Sequence, residues 1–245
     1  MKLSAHDHVG DGPPHLLLHG AGGAKEVWQT VAPQLNGRCV AVDLRGHGES
    51  PDGPWEWDAV LDDLEATTVQ FGLSNPVVVG HSLGGVLAGM WARRHPDCPA
   101  AVSLDGHRAA ATDPANYVRY DRLEADLAEL DAIFTAQQEM ITRPNREITG
   151  AWRVSKEFAD ALPVLAEVTA PFLLVLATKN LPVPPHLIPL MDAHRAGLRR
   201  DLPVVCPNVE VREIDATHGM VSEQPAEVAA IVNGFVNAFS RRATG

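Results

Sequence analysis

Short apolar runs alternate along this chain with longer amphipathic stretches, an order that few folds accommodate. Each run is rich in β-branched residues or leucine and ends in turn residues, which is typical of a buried strand. The stretches between them, such as WDAVLDDLEATTVQFGL and LGGVLAGMWARRH, have helical periodicity. The alternation predicts an α/β fold with a mostly parallel, doubly wound sheet and crossover helices. The predicted strands are HLLLHG (15–20), CVAVDLRG (39–46), PVVVGHS (76–82), AAVSLDG (100–106), FLLVLAT (172–178) and VEVREID (209–215).

A long helical segment interrupts the alternation once. From His107 to Val168 the sequence has no strand candidate, only helical patterns such as VRYDRLEADLAELDAIFTAQQEMI. A segment of about 60 residues is too long for an ordinary connection between two elements. With 245 residues and 45% hydrophobic residues, the chain can form one large domain. We expect residues 1–106 and 169–245 to form its α/β core and residues 107–168 to form a helical cap, or lid, over one end of the sheet.

The charge balance of the chain argues against two classes of partner. It carries 20 Lys and Arg against 31 Asp and Glu, a formal net charge of −11. This excess of negative charge disfavours binding to nucleic acid or to an anionic membrane surface. The N-terminal MKLSAHDHVGDGPP has no apolar signal-peptide region, and no later segment is apolar enough to span a membrane. We therefore expect a cytoplasmic protein, and nothing in the sequence indicates an oligomeric state.

The potential metal ligands do not form a recognisable metal site. Cys39, Cys98 and Cys206 are widely spaced and lie in or beside apolar segments, a pattern that supports neither a disulfide framework nor a zinc site. The HDH sequence from His6 to His8 fits a solvated N-terminus better than a metal site. We expect the cysteines to be inert thiols in or near the core, and we expect no metal and no cofactor.

One motif places a serine between a predicted strand and a predicted helix. In VVVGHSLGGVLAGMW, an apolar strand leads into Gly80, His81, Ser82, Leu83 and Gly84, and a helix follows. A sharp strand-to-helix turn strains the serine backbone, and a side chain at position 80 or 84 would collide with the neighbouring strand or helix. The glycines two residues before and after Ser82 meet that requirement. Ser82 is therefore predicted to be an exposed nucleophile at the end of the sheet rather than part of an ordinary glycine-rich turn.

At this point the chain resembles the α/β-hydrolase family over nearly its whole length. Because four motifs follow the family order, the resemblance implies the α/β-hydrolase fold, although it does not specify a substrate. LLLHGAGG resembles the first oxyanion loop, VDLRGHGES the segment after the next strand, GHSLGG the nucleophile elbow and DATHGMVSEQP the histidine loop. These motifs span residues 16–23, 42–50, 80–85 and 215–225.

A serine nucleophile needs a base and a pair of oxyanion donors. Of the 11 histidines, His218 follows the last predicted strand, beside a glycine and ahead of a terminal helix, so it is predicted to reach the same sheet end as Ser82. The backbone amides of Ala21 and Leu83 are the predicted oxyanion donors. Other conspicuous side chains near these motifs are predicted to pack loops: His19, Arg45 and His47.

The carboxylate that orients the base is not at the position where many family members carry it. After the strand that follows the predicted cap, this chain has Asn180, and the loop LPVPP that follows has no acidic residue. Some members of the family take the acid from the preceding strand, which here ends in Asp105. An Asp-Gly pair is also an ordinary turn. We predict that Asp105 is the acid, because otherwise His218 lacks a charged partner, and Asp215 is the alternative.

These residues predict a cofactor-free serine hydrolase that cleaves a small apolar carboxylic ester or lactone through an acyl-enzyme. A thioesterase or a C–C bond hydrolase on the same triad is an alternative, as is a slow-turnover ligand-binding receptor of this fold. Epoxide hydrolase or dehalogenase chemistry resembling this fold would need an aspartate at position 82. Apolar residues of the predicted cap are candidates for the pocket wall, although some of them are expected to be cap core only: Phe134, Met140, Ile141 and Trp152.

Overall fold

The computed structural model of the protein describes residues 1–139 and 143–243, apart from the side chains of residues 138, 139 and 240–243. One sheet of seven strands runs through the described chain in the order β1-β3-β2-β4-β5-β6-β7. All pairs from β3 to β7 are parallel, and only β1 pairs with β3 in an antiparallel arrangement. The strands are β1 Ala5–His8, β2 His15–Leu18, β3 Cys39–Val42, β4 Val77–His81, β5 Ala101–Leu104, β6 Phe172–Ala177 and β7 Glu210–Ile214.

The six predicted strands are confirmed, but β1 was not predicted. Its sequence, AHDH, has a single apolar residue, and none of its side chains is fully buried. It lies at the sheet edge, where backbone pairing with β3 rather than side-chain burial holds it, and Arg38 bonds Asp7 at 2.7 Å across this edge. The segment from His6 to His8 is therefore an edge strand and not a solvated tail.

Helices cover both faces of the sheet, as a doubly wound fold requires. Leu16 and Leu18 of β2 pack in the same cluster as the first two helices, whereas Leu17 faces the opposite cluster with the last helix. This alternation along the strand assigns one core to each face. The helices are α1 Trp57–Phe71, α2 Leu83–Arg94, α3 Leu123–Glu139, α4 Arg146–Arg153, α5 Lys156–Ala159, α6 Leu162–Ala166, α7 Ile188–Val205, α8 Met220–Glu223 and α9 Pro225–Ala243.

The segment between β5 and β6 contains α3 to α6, and the described part of it has no strand beyond one isolated bridge between Arg108 and Asp160. Its second half packs into the α1 and α2 core, where Leu165 of α6 lies against Gly89 of α2. A Cβ atom at Gly89 would lie 2.7 Å from Leu165 Cδ2, so the glycine permits this close approach. The first half packs with α7 in a separate small cluster. The segment therefore shares cores with the sheet and α7, and its role as a cap remains a prediction.

The three cysteines are buried and free. Burial raises the pKa of the Cys39 thiol to about 12 and those of Cys98 and Cys206 to about 11, which keeps all three protonated and unreactive at neutral pH. Within the described residues, no helix is long and apolar enough to cross a membrane. In the same part of the chain, no group of three or more His, Cys, Asp or Glu residues is arranged to hold a metal ion.

Candidate active site

Ser82 occupies the single position between β4 and α2. Its backbone has φ 53° and ψ −116°, a region that a non-glycine residue rarely adopts and that costs of order 1–3 kcal/mol. The glycines on either side explain why the turn can close. A Cβ atom at Gly80 would lie 1.8 Å from the carbonyl oxygen of Gly84, and one at Gly84 would lie 2.3 Å from that of Leu18. The predicted steric reason for both glycines is confirmed.

Two further glycines pack directly against the serine. A Cβ atom at Gly20 would lie 3.1 Å from Ser82 Cβ, and one at Gly106 would lie 2.3 Å from the Ser82 carbonyl oxygen. The Ser82 amide donates a hydrogen bond to the Leu104 carbonyl at 2.9 Å. The loops after β2 and β5 therefore pack closely around the strained residue.

His218 and Asp105 meet at the carboxyl end of the sheet. Asp105 directly follows β5, and His218 lies in the loop between β7 and α8. His218 Nδ1 donates a hydrogen bond to Asp105 Oδ2 at 2.7 Å. The Asp105 backbone has φ 55°, a left-handed conformation that directs the residue out of the strand direction. The structure thus brings together the two residues predicted to act as base and acid.

The Asp105 carboxylate accepts three hydrogen bonds. Besides His218, His107 Nε2 donates to Oδ1 at 3.1 Å, and the Ala177 amide donates to the same oxygen at 3.0 Å. Burial alone would raise the pKa of Asp105, but the charge of His107 and hydrogen bonds from His107 and His218 hold that pKa well below its usual value. The carboxylate is therefore ionised at every pH at which the protein is expected to work.

The other two positions considered for the acid do not contact His218. The Asn180 side-chain amide donates to Asp192 Oδ1 at 3.3 Å. The Asp215 side chain is 79% exposed and forms an ion pair with Lys179 at 3.0 Å. Asn180 lines the same cavity as Asp105, so a carboxylate placed there would also face this end of the sheet. Geometry supports Asp105 over Asp215, while the catalytic role of Asp105 stays a prediction.

Two histidines contact this site without having been predicted to do so. His81 Nε2 donates to the His218 carbonyl oxygen at 2.7 Å, and the two rings lie 4.8 Å apart between centroids. Burial lowers the pKa of His81 to about 4, so it is neutral at physiological pH and acts as a donor that holds the His218 loop. The other is His107. Proximity in sequence could have indicated both histidines, because His81 directly precedes Ser82 and His107 lies two residues after Asp105.

The predicted oxyanion residues lie on either side of the serine. Leu83 is the first residue of α2, where an amide has no carbonyl within the helix to donate to and where the helix dipole favours negative charge. Ala21 follows Gly20 in the loop after β2 and lines the cavity beside Ser82. These positions are compatible with two amides directed at one oxygen, and their catalytic role stays a prediction.

Hydrogen bonds confirm that His19, Arg45 and His47 pack loops. His19 Nδ1 donates to the Gly20 carbonyl at 2.7 Å, and its Nε2 accepts from the Leu44 amide at 3.0 Å. Burial lowers the pKa of His19 to about 3, so the ring stays neutral in this bridge between two loops. Arg45 binds Asp63 at 2.7 Å, and His47 Nδ1 lies 3.0 Å from the Arg45 carbonyl.

A cavity of about 490 Å³ contains Ser82, Asp105 and His218 in its wall. Phe134 and Trp152 also line it, as predicted for two of the pocket residues. Trp152 is only 3% exposed and packs edge-on against Phe158 with ring centroids 4.7 Å apart, so it belongs to the core as well. The other two predicted pocket residues, Met140 and Ile141, lie outside the described residues.

A mostly parallel seven-stranded sheet, helices on both faces and a serine at a strand-to-helix turn define the α/β-hydrolase fold. The structure therefore places the protein in the class of α/β hydrolases. The chain belongs to the alpha/beta hydrolase family, whose model matches residues 16–231.

Comparison with known proteins finds relatives that are esterases and lipases. The chain is 30% identical over 255 residues to the lipase LipV of Mycobacterium tuberculosis, a match covering 90% of this chain and 92% of the lipase. It is 48% identical over 99 residues to the pimeloyl-[acyl-carrier protein] methyl ester esterase of Chromobacterium violaceum, covering 39% of this chain and 37% of that protein. A thermophilic esterase from Thermogutta terrifontis shares the fold with a TM-score of 0.67 and 24% identity, over 97% of this chain and 93% of the esterase.

Proposed function

We propose that the protein is a serine hydrolase that cleaves carboxylic esters or lactones through an acyl-enzyme on Ser82. The observation that carries the proposal is the 2.7 Å hydrogen bond between His218 Nδ1 and Asp105 Oδ2 in the wall of the cavity that Ser82 also lines. With Nδ1 engaged by the carboxylate, Nε2 is the ring nitrogen left to accept the Ser82 proton. A strained serine, an oriented imidazole and an ionised acid are the components that acyl transfer requires.

In the proposed mechanism, Ser82 Oγ attacks the carbonyl carbon of the ester while His218 Nε2 takes the hydroxyl proton. The amides of Ala21 and Leu83 stabilise the negative oxygen of the tetrahedral intermediate. The intermediate collapses, the C–O bond breaks, and His218 returns the proton to the departing alkoxide oxygen. Water, deprotonated by His218, then attacks the acyl-enzyme by the same route and releases the acid and free Ser82. Asp105 stabilises the imidazolium that forms at each stage.

Support for an ester substrate comes from the relatives, because the curated proteins with significant similarity include a lipase and a methyl ester esterase. A thioesterase or C–C bond hydrolase would use the same residues, and a ligand-binding receptor would keep them while turning over slowly. Time courses with an activated aryl ester distinguish an enzyme from a receptor. An enzyme continues to release product at a steady rate after the first equivalent, whereas a slow-turnover receptor does not.

The composition of the cavity wall favours an apolar group on the substrate. Much of the wall is aliphatic or aromatic, with the side chains of Val86, Phe134, Phe158, Leu176 and Met191 among those that line it. Phe134 and Phe158 come from residues 107–168, which we propose act as a cap that sets substrate choice. The acyl or alcohol part of the ester would lie against this wall.

Labelling with a fluorophosphonate tests whether Ser82 is a reactive nucleophile. We expect stoichiometric phosphonylation of the peptide that contains Ser82, because a serine activated by His218 attacks phosphorus as it attacks a carbonyl carbon. Peptide mass spectrometry locates the label. Labelling only at another serine would contradict the proposed mechanism, and heat-denatured protein serves as the unreactive control.

A second test concerns the cap wall. Phe134→Ala is expected to change the ranking of kcat/KM among esters of different acyl length, because Phe134 lines the cavity and is only partly buried. Trp152→Ala is the less informative variant, since removing a buried tryptophan costs about 3–5 kcal/mol of stability. Ile133→Ala is the matched control, because Ile133 packs in the same small cluster without belonging to the described cavity wall. An unchanged ranking in Phe134→Ala would show that this part of the cap is structural.

A further inference from the structure

The acid at the candidate active site has a second imidazole on its other side. Asp105 Oδ2 faces His218, and Asp105 Oδ1 faces His107 Nε2 at 3.1 Å. The tautomer of His107 follows from its second nitrogen, because Nδ1 accepts a hydrogen bond from the Arg108 amide at 2.7 Å. A neutral His107 therefore carries its hydrogen on Nε2 and donates it to Asp105. Both ring nitrogens are engaged, so His107 is not a second base for Ser82.

His107 also lies where the start of the 107–168 segment contacts residues 159–161, between α5 and α6. Its carbonyl oxygen accepts a hydrogen bond from the Ala161 amide at 2.8 Å, and the Ala109 amide donates to the Ala159 carbonyl at 3.1 Å. The next residue, Arg108, binds Asp160 through Nε at 2.9 Å. The backbone of residues 107–109 is thus held by residues at the end of α5 and just before α6, while the side chain of His107 is held by Asp105.

From these contacts we propose that His107 is a positioning residue, which holds the Asp105 carboxylate in the orientation that serves His218 and ties it to the base of the cap. The inference rests on the proposed function, since it assigns a role within that mechanism. A carboxylate turns about the bond to its Cβ atom unless both oxygens are held. His107 and the Ala177 amide hold Oδ1, which leaves Oδ2 directed at His218 Nδ1.

Further titratable and charged groups lie close to the pair formed by His107 and Asp105. His194 of α7 lies 6.0 Å away between ring centroids, and burial lowers the pKa of His194 to about 3, so that ring adds no charge. Arg108 is held by Asp160 and by Asp201, the latter at 2.7 Å from Nη1. The charged and titratable groups that face the pair are His218, His81, His194 and Arg108 with its two carboxylate partners, Asp160 and Asp201.

Substitutions at His107 test the proposal by what they do to the pH profile. His107→Gln can place an amide N–H near the position of Nε2, so we expect kcat and the acid limb of kcat/KM close to wild type. His107→Phe removes the donor, and we expect kcat to fall by about 10-fold, as for loss of a hydrogen bond to a charged group. The acid limb should move to higher pH in His107→Phe, because a carboxylate with one donor fewer holds a protonated His218 more strongly.

His186→Gln is the matched control, because His186 is exposed and pairs with Glu129 on the surface. Circular dichroism checks folding. If His107→Phe is unfolded, His107→Asn replaces it, because the shorter asparagine amide can take the place of Nδ1 but not of Nε2. A change in KM alone, with kcat and the acid limb unmoved, would overturn the proposal and leave His107 as a pocket wall. Equal profiles for His107→Gln and His107→Phe that match wild type would overturn it as well.

A readout that needs no substrate separates this inference from the proposed function. The low-field ¹H NMR resonance of the hydrogen bond between His218 and Asp105 should persist in His107→Gln and shift or broaden in His107→Phe. If wild type neither turns over esters nor reacts with a fluorophosphonate, the proposed function fails while this resonance still reports on the positioning. A resonance unchanged in His107→Phe would overturn the role of His107 alone.

Discussion

Ser82→Ala is expected to lower kcat for an activated aryl ester by about 10⁶-fold, by analogy with serine hydrolases that lose their nucleophile. The physical reason is that alanine cannot form the acyl-enzyme, so only binding and the oxyanion amides remain to accelerate attack by water. Residue 82 has φ 53°, and alanine tolerates that conformation about as poorly as serine does, so we expect the fold to persist. Initial rates with one ester across a range of concentrations measure the effect.

Ser74→Ala is the matched control, because Ser74 is an exposed serine in the loop before β4. It should keep wild-type kcat and wild-type labelling by a fluorophosphonate. Full ester turnover by Ser82→Ala would show that the nucleophile lies elsewhere, whatever the geometry of the turn.

Asp105→Asn is expected to lower kcat by about 10⁴-fold, by analogy with other triads, while the protein stays folded. An asparagine at 105 removes the negative charge that stabilises the imidazolium, and it can present an N–H to His218 Nδ1 where a carboxylate oxygen accepts one at 2.7 Å. The imidazole would then favour the wrong tautomer. The test is to measure kcat for one activated ester in wild type and in the variant, and to verify folding by circular dichroism.

Asn180→Ala provides the contrast, because Asn180 lines the cavity but does not contact His218, and it should cost far less activity. Adding Asn180→Asp to Asp105→Asn places a carboxylate at the position where the family resemblance led us to expect one. We expect only partial recovery, since the new carboxylate would lie near Asp192, to which Asn180 now donates at 3.3 Å. If Asp105→Asn kept near wild-type kcat, Asp105 would not be the acid, and Asp215→Asn would be the next variant to measure.

Local sequence signals predicted most of the framework. The six predicted runs became β2 to β7 with bounds trimmed by a few residues. β2 to β6 are almost wholly buried, and a strand buried on both faces needs continuous apolar side chains wherever it lies in the chain, whereas β7 is a more polar and exposed edge strand. The turn at Ser82 was also predicted from the sequence. Gly80 is required by a contact within a few residues, the 1.8 Å that would separate a Cβ atom there from the Gly84 oxygen, whereas Gly84 is required by the Leu18 oxygen of the neighbouring strand.

The edge strand β1 shows where such signals fail. Its four residues have little apolar character, and they form a strand only because β3 offers an unpaired edge to which they can hydrogen-bond. Trp152 is a second example. Its side chain packs in the core and also lines the cavity, and its apolar character alone could not predict that it would do both.

Periodicity and steric requirements act mainly over neighbouring residues, and they were sufficient to predict the six strands β2 to β7, the serine turn and the loop that carries His218. Which carboxylate meets that histidine depends on residues 113 positions apart, and no local pattern distinguishes Asp105 from Asp215. Contacts that were not predicted at all have the same origin: His81 reaches the His218 carbonyl 137 residues away, and Ala177 reaches Asp105 across 72 residues. His107 is close to Asp105 in sequence, yet only the left-handed backbone at Asp105 and the folding back of residues 159–161 turn its ring toward the carboxylate. Such contacts exist only once distant strand ends and loops have been brought to one edge of the sheet, so the tertiary structure alone decides them.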